Sequence, residues 1–381
     1  MCLHTRSTFQ NRFFALIAMV LGVLAPLLAF EVALRIGPPT WLEQRMQELT
    51  IGRPYRYNSD QDWPVIRDNG IFRQFKSYSE FVVRHYEYEH RVRIDDRGGR
   101  ITPYPAEAVK IVPFLGDSFT FGTGVEDGET FLSRMAAASS YRFLNLGVPG
   151  SALHNQLDIV DMRHDELGQP KHYVFIVFMG NDLTDIRKKY EPQPSNATLR
   201  DRRQAYGWLR RINDVVYHHG VLKRLYVIQF VRQRLLAVFN RSNANLMLPI
   251  YLNFQTNTNY LDNSLIYFEK ELQRLQDMAT KRGFEYAFIV IPDVHQVNLK
   301  RYTEKARYYD LDHRNLSVEQ VTNAIAALLK QFRIPYLDLG PCLSQAPLDG
   351  LYYIQDNHLT PAGHARAARC MLENEVLSEL F

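Results

Sequence analysis

Short apolar runs alternate with helical apolar periods over two parts of the chain, which predicts strands and helices in turn. Between residues 109 and 190 the predicted elements are strand 109–115, helix 129–139, strand 142–146, helix 152–162 and strand 173–179. Between 263 and 380 they are a helix with Leu265, Phe268, Leu272 and Leu275 on one face, strand 285–291, helix 318–332, strand 334–339 and helix 361–380. This alternation favours an α/β fold with a parallel sheet covered by helices on both faces.

Two segments do not follow the alternation. Residues 31–108 are rich in Tyr, Arg and Pro without a sustained period, and we interpret them as a linker and decorating segment with a short edge strand at 92–94. The stretch from about 190 to 262 interrupts the pattern and is interpreted as an insertion in which substrate choice resides. Residues 109–381 are therefore predicted to form one domain that carries this insertion.

An uncharged run of 18 residues, Phe13 to Phe30, precedes all of these elements. As a helix it would cover roughly 27 Å, close to the thickness of the hydrocarbon core of a bilayer. Two arginines before the run favour a cytoplasmic N-terminus. We therefore predict a cytoplasmic tail at 1–12, a transmembrane anchor at 13–30 and the remaining chain outside. A cleaved signal peptide that ends near Ala29 is the alternative.

Composition narrows the class of protein without identifying it. The 381 residues carry 45 Lys plus Arg against 41 Asp plus Glu, mixed along the chain, so nucleic acid is not an expected partner. Cys2, Cys342 and Cys370 are too few for a disulfide framework; a Cys342–Cys370 bridge is an option, and free buried thiols are the interpretation we favour. Neither a phosphate-binding loop nor a metal-ligand cluster occurs, so neither a cofactor nor a metal is expected.

Four polar segments follow predicted strands or precede the last helix, where the ligand-binding edge of a doubly wound sheet lies. They are Gly116-Asp117-Ser118-Phe119-Thr120-Phe121-Gly122, Asn145-Leu146-Gly147-Val148-Pro149-Gly150, Gly180-Asn181-Asp182 and Asp356-Asn357-His358. Together they supply a hydroxyl nucleophile, an imidazole base, an orienting carboxylate and N–H donors for an oxyanion. These are the parts that acyl transfer requires.

The four segments resemble the sequence blocks of the SGNH (GDSL-type) hydrolase superfamily, over about 109–190 and 263–380. The resemblance implies a three-layer α/β/α sandwich with a parallel, flavodoxin-like sheet, here preceded by one transmembrane helix. It also implies a catalytic triad in which Ser118 is the nucleophile, His358 the base and Asp356 the orienting acid. The implied oxyanion hole consists of the N–H groups of Ser118 and Gly150 and the side-chain amide of Asn181.

Two points leave alternatives open. The family commonly spaces its acid and base as D-x-x-H, whereas this chain has D-x-H. Residues two apart in an extended loop still face the same side, so Asp356 could reach the His358 ring. Taken singly, Ser118 could be only a helix cap, Asn181 only an Asx turn, and Gly150 only a turn glycine.

The anchor and these motifs together are also similar to membrane-anchored bacterial members of the superfamily, some of them connected with polysaccharide acylation. We therefore expect a serine esterase that cleaves acyl esters, acetyl esters of carbohydrate or polysaccharide in particular, at the outer, periplasmic face of a membrane. The same triad would serve an O-acyltransferase on a cell-envelope or exported glycan, with polysaccharide-modification proteins as partners. A non-catalytic, membrane-tethered glycan-binding or assembly protein is the alternative from another class.

Overall fold

The computed structural model describes residues 22–39, 64–68, 71–85, 87–104, 110–191, 222–231, 258–308, 318–345, 350–354 and 356–375, with the single positions 42, 46, 234 and 347. The chain divides into two compact units: a larger one, 54–193 with 245–381, and a smaller one, 1–53 with 194–244. All candidate site residues belong to the larger unit. The predicted domain boundaries, including the insertion at about 190–262, stay a prediction, since much of that insertion lies outside the described residues.

The described part of the larger unit contains nine strands. They are β1 (Val65–Asp68), β2 (Ile71–Phe75), β3 (Glu80–Arg84), β4 (Glu89–Arg93), β5 (Ile111–Gly116), β6 (Arg142–Gly147), β7 (His172–Phe178), β8 (Glu285–Ile291) and β9 (Tyr336–Asp338). Its α-helices span Ser118–Phe121, Phe131–Ala136, Leu153–Arg163, Asp182–Asp185, Arg187–Tyr190, Thr258–Arg282, Val294–Val297, Leu299–Tyr308, Gln320–Gln331, Gly340–Leu343 and Pro361–Leu372.

Five parallel strands form the central sheet, in the order β6-β5-β7-β8-β9. Counted along the chain from β5, this order is 2-1-3-4-5, that of a flavodoxin-like sheet, so the predicted topology is confirmed. β5 has β6 on one side and β7 on the other, so the direction of winding changes between β5 and β7. Ligands bind such sheets at the carboxyl ends of the strands beside this change of direction.

Helices cover both faces of the sheet, as predicted. The odd-numbered residues of β7 lie in one buried apolar cluster with the helices Leu153–Arg163, Thr258–Arg282 and Gln320–Gln331. Its even-numbered residues from Val174 onward lie in a second cluster with the helices Phe131–Ala136 and Pro361–Leu372. Because both faces of β7 are buried, its sequence is a continuous apolar run rather than an alternating one.

The bounds of the predicted elements differ by a few residues from those in the structure. Strand 285–291 has the predicted bounds. The closing helix, predicted to reach 380, ends at Leu372, where Glu373 donates its N–H to the carbonyl of Arg369. Asn374, of a residue type that favours turns over helix interiors, is not helical, and Glu375 after it is helical again at the end of the described residues.

The segment interpreted as a linker contains two antiparallel β-hairpins, in which β1 pairs with β2 and β3 with β4. The expected edge strand at 92–94 is the end of β4. Only His90 and Val92 are buried in β4, so its strand pattern was too short to stand out in the sequence. Buried residues of the hairpins share one apolar cluster with Phe121, three residues after Ser118, so the hairpins are packed elements of the larger unit.

Cys342 and Cys370 form a disulfide, with Cα atoms 6.4 Å apart, so the expectation of free thiols is wrong. The bond joins the helix Gly340–Leu343 to the closing helix. Both helices bury apolar residues in the same cluster, and this packing brings the two cysteines together. A separation of 28 residues in the sequence does not reveal that contact.

In the smaller unit, a helix at 22–36 contains the end of the predicted span, while residues 13–21 lie outside the described part. Residues 22–30 of this helix are exposed. Glu31 accepts the N–H groups of Tyr226 at 3.1 Å and Val227 at 2.8 Å, and so caps the start of a helix that begins at Tyr226. Among the described residues, no helix is both long and apolar enough to cross a membrane.

Candidate active site

Ser118 is the first residue of a one-turn helix that follows β5 directly. Asp117 caps this helix, since its Oδ1 accepts the N–H of Phe119 at 2.9 Å. Gly122 ends the helix in the left-handed conformation, with φ of 85°, and donates its N–H to the carbonyl of Ser118. The turn therefore places Ser118 at the carboxyl end of β5, beside the change of winding direction.

Two glycines of the motif blocks allow this turn to pack against the sheet. A Cβ at Gly116 would collide with the Thr120 side chain, and a Cβ at Gly147 would collide with the backbone of Phe121. Asn145 on β6 holds the same turn, because its Nδ2 donates to the carbonyl of Thr120 at 2.9 Å. Part of the first two blocks thus serves the packing of the turn that contains Ser118.

His358 lies between Ser118 and Asp356. Its Nε2 is 2.7 Å from Ser118 Oγ, and its Nδ1 is 2.5 Å from Asp356 Oδ2. The side chains of His358 and Asp356 are only 12% and 7% exposed, and Ser118 is buried. The structure therefore brings the three predicted triad residues into one hydrogen-bonded series, although 240 positions separate Ser118 from His358.

The D-x-H spacing depends on a left-handed residue rather than on the extended loop that we expected. Asn357, between Asp356 and His358, has φ of 63°, a region that asparagine enters more readily than most residues. Arg301 donates to Asn357 Oδ1 at 2.9 Å and to the carbonyl of Tyr353 at 3.1 Å. These bonds hold the loop in the conformation that points Asp356 at the His358 ring.

Burial and charge act in opposite directions on the His–Asp pair. Burial alone would lower the pKa of His358, but the charge and hydrogen bond of Asp356, with the charge of Asp117, raise that pKa above its ordinary value. Burial alone would raise the pKa of Asp356, but His358, His85 and Tyr88 lower it. Asp356 is therefore ionised at neutral pH, and His358 is a stronger base than an imidazole in water.

Asp117 is a second carboxyl group beside Ser118. Burial raises its pKa to about 6, and burial together with the charge of Asp117 raises the pKa of Asp182 well above its ordinary value. Ser118 Oγ lies 3.4 Å from Asp117 Oδ2, beyond the usual length of an O–H···O bond. Asp117 therefore serves the turn as a cap, and the His358 contact is the one suited to proton transfer.

Gly150 and Asn181 lie after β6 and β7, and in the described part of the chain neither hydrogen-bonds to the triad. Gly150 is exposed with φ of 77°, and its N–H has no partner among the described residues. The N–H of Gly147 is already bonded to Asn145 Oδ1 at 3.1 Å. Asn181 uses one amide hydrogen on Asp185 Oδ2 at 2.8 Å, which leaves its second. Both predicted donors therefore have a hydrogen to offer, and their role in an oxyanion hole stays a prediction.

Three residues of the β3–β4 hairpin that were not predicted from the sequence lie beside Asp356. Tyr88 donates its hydroxyl to Asp356 Oδ2 at 2.9 Å, and Glu87 accepts the N–H of Asp356 at 2.8 Å. His85 Nε2 lies 3.9 Å from Asp356 Oδ1. The available signal was the run from His85 to His90, HYEYEH, in which two glutamates lie among four aromatic or imidazole rings.

A serine hydroxyl on an imidazole that a carboxylate orients is the arrangement that activates serine for attack on a carbonyl carbon. The site is therefore suited to acyl transfer through a covalent intermediate. Within the ranges that the structure describes, no three His, Cys, Asp or Glu side chains are grouped so that they could hold a metal ion.

Comparison with protein families gives a match over residues 114–366, to the GDSL-like lipase/acylhydrolase family. The match covers about two thirds of the chain and includes all five residues of the predicted triad and oxyanion hole. The β3–β4 hairpin lies outside it. None of the curated proteins compared with the chain matches it in sequence.

Several solved structures are similar to the chain at low identity. A member of the lipolytic protein G-D-S-L family from Veillonella parvula DSM 2008 is 12% identical, with 70% of this chain and 97% of that chain covered and a TM-score of 0.37. The acetyl xylan esterase AlAXEase is 14% identical, with 69% of this chain and 98% of that chain covered and a TM-score of 0.35. An Axe2 mutant, an acetyl-xylooligosaccharide esterase from Geobacillus Stearmophilus, is 11% identical, with 71% of this chain and 94% of that chain covered and a TM-score of 0.36. At these TM-scores the similarities bear on neither substrate nor reaction.

Proposed function

The chain belongs to the GDSL-like lipase/acylhydrolase family, and from this membership and the geometry of its site we propose that it is a serine esterase with Ser118, His358 and Asp356 as its triad. One observation carries the proposal: His358 lies within hydrogen-bond distance of the Ser118 hydroxyl on one ring nitrogen and of the Asp356 carboxylate on the other. That contact order supports Ser118 as the nucleophile and His358 as its base.

The proposed reaction has two halves. Ser118 Oγ bonds to the ester carbonyl carbon while its proton passes to His358 Nε2, and His358 then gives this proton to the departing alcohol. Water repeats the sequence on the acyl-serine and releases the acid. Asp356 stabilises the imidazolium in both halves, while the N–H groups of Ser118 and Gly150 and the second amide hydrogen of Asn181 bind the oxyanion.

We propose acetyl esters of carbohydrate or polysaccharide as the substrate class. The support is the similarity of the motifs, taken with the apolar N-terminal run, to membrane-anchored bacterial members of the superfamily connected with polysaccharide acylation. An acetylated glycan incubated with the protein should release free acetate. Transfer of the acetyl group to a hydroxyl of an acceptor glycan, without release, would instead support an O-acyltransferase that uses the same triad.

We also propose that the enzyme acts at the outer face of a membrane, held by residues 13–30. The disulfide between Cys342 and Cys370 supports an oxidising compartment, because such bonds persist outside the reducing cytoplasm. The exposed apolar residues at 22–30 support an apolar environment for that helix. Sequencing of the mature N-terminus tests the anchor, and a mature chain that begins near Glu31 would refute it.

Ser118→Ala is the test of the enzyme itself, with Ser344→Ala as the matched control. Ser344 is exposed and its hydroxyl bonds only to the carbonyl of Gly340 at 2.7 Å among the described contacts. A fluorophosphonate should label the native protein and the Ser344 variant but not the Ser118 variant. Ester turnover should fall by at least about 10³-fold in Ser118→Ala alone. Absence of both labelling and turnover in the native protein would favour a non-catalytic glycan-binding protein.

A further inference from the structure

We propose that the β3–β4 hairpin belongs to the active site, with Tyr88 as a positioning residue for Asp356 and Glu87 as the support of the loop that carries Asp356 and His358. This inference rests on the proposed triad and deepens it. The hairpin lies outside the part of the chain that matches the family, so the family motifs do not contain it.

The Tyr88 hydroxyl fixes the orientation of the triad carboxylate. It donates to Asp356 Oδ2, the same oxygen that contacts His358 Nδ1. Tyr88 is only 8% exposed, and its ring lies 4.9 Å from the rings of both His85 and Tyr353, measured between ring centroids. A buried ring in close contact with two other rings has few orientations available, so the hydroxyl is held in place beside Asp356.

Glu87 holds the backbone of the same loop. One of its carboxylate oxygens accepts the N–H of Ile354 and the other accepts the N–H of Asp356, both at 2.8 Å. Arg301 binds the loop through Asn357 Oδ1 and the carbonyl of Tyr353. The loop that contains the left-handed Asn357 is therefore held by Glu87, which binds backbone N–H groups, and by Arg301, which binds oxygens.

The charged and titratable groups around the His358–Asp356 pair come from four places: Asp117 from the Ser118 turn, His364 from the closing helix, Arg301 and Tyr353 beside the loop, and His85, Glu87, Tyr88 and His90 from the hairpin. Burial lowers the pKa of His85, and burial and the Arg100 charge lower the pKa of His90 to about 3. Both rings are therefore neutral at neutral pH. The Tyr88 hydroxyl is a neutral donor that competes with His358 for the charge of Asp356.

Tyr88→Phe tests this role. Without the hydroxyl, Asp356 interacts more strongly with the imidazolium, so the acid limb of the pH profile of kcat/KM should move to higher pH. The value of kcat/KM at its plateau should fall by about tenfold, since hydrogen bonds to charged groups are among the stronger ones. Tyr353→Phe is the matched control, because it removes a half-buried hydroxyl of the same aromatic cluster that donates to the carbonyl of Gly124 at 2.7 Å. It should leave the acid limb in place.

The outcomes separate the two proposals. If the native protein shows no ester turnover that depends on Ser118, the proposed function is wrong, and this inference fails with it. Ser118-dependent turnover with an unshifted acid limb and an unchanged kcat/KM in Tyr88→Phe would overturn the positioning role alone. Should Tyr88→Phe not fold, Glu87→Gln removes one of the two loop acceptors and should lower kcat with little change in KM; a native kcat in that variant would contradict the hairpin's role.

Discussion

Replacement of Arg100 by methionine tests how the nucleophile segment is held in place. The Arg100 side chain is completely buried, and its Nε donates to Asp127 Oδ1 at 2.8 Å. Its two terminal nitrogens donate to the backbone carbonyls of Phe121, Gly122 and Val125 at 2.6 to 2.9 Å. One guanidinium therefore satisfies a buried carboxylate and three carbonyls of the loop that follows Ser118.

Methionine fills a similar volume but donates nothing, so it leaves this set of acceptors without its donor. Breaking a buried ion pair by removing one partner costs about 3–5 kcal/mol. The Val125 carbonyl loses the donor described for it, whereas the Phe121 and Gly122 carbonyls keep long contacts of 3.4 Å to Asn145 Nδ2 and to the Val125 N–H. Costs of this kind are not additive, and Asp127 keeps a bond to Arg93 at 2.9 Å. We therefore expect Arg100→Met to lower the free energy of unfolding by about 3–5 kcal/mol, measured by urea denaturation.

Arg93→Met is the matched control, because Arg93 pairs with the same carboxylate but its side chain is 54% exposed. A solvent-screened pair contributes about 1 kcal/mol or less, so this variant should remain close to the native protein. Equal losses in the two variants, or a loss below about 1 kcal/mol for Arg100→Met, would refute the reasoning that burial makes the Arg100 contacts costly to break.

Two further predictions concern the folded state. In Asp117, a pKa raised to about 6 from 3.8 gives stability that is present below pH 3.8 and lost as the pH rises through 6. Asp117→Asn keeps an oxygen that can accept the cap hydrogen bond, but it does not titrate. The free energy of unfolding of this variant, relative to that of the native protein, should therefore rise by up to about 3 kcal/mol between pH 4 and 6 and then stay level. A difference that does not depend on pH, measured by urea denaturation, would contradict this. Replacing Cys342 and Cys370 by alanine opens a loop of 28 residues and should lower the unfolding free energy by about 3–4 kcal/mol, and a reductant should bring the native protein to the same value; unchanged thermal unfolding would contradict the disulfide.

The sheet was predictable because its strands are buried on both faces. A strand such as β7 is apolar at every position after His172, and such an unbroken run stands out in a sequence. The residues at the strand ends were predictable for a related reason, since the chemistry of a doubly wound fold gathers at the carboxyl edge of its sheet. The apolar pattern was sufficient for the strands, whereas the roles predicted for the strand-end residues came from the resemblance of the four segments to the family.

The hairpins were not predictable, because their strands have four or five residues each and their own sequence pattern reveals little of their burial. Phe75 and Val83 are buried by packing that includes Phe121, which lies far along the chain. The contact between Tyr88 and Asp356 spans 268 positions. Only the folded sheet, which sets where each loop lies, brings these groups together.

The D-x-H spacing and the hairpin are physically connected. With one residue between acid and base, Asp356 can orient His358 only if that residue takes a conformation that directs both side chains to one point, and here Asn357 takes the left-handed one. A left-handed residue is costly unless its surroundings fix it. Arg301 supplies one fixed contact, and Glu87, from outside the family-matched domain, supplies another at the adjacent Asp356 N–H. The departure from the family spacing therefore implies added support, and the hairpin is where this chain provides it.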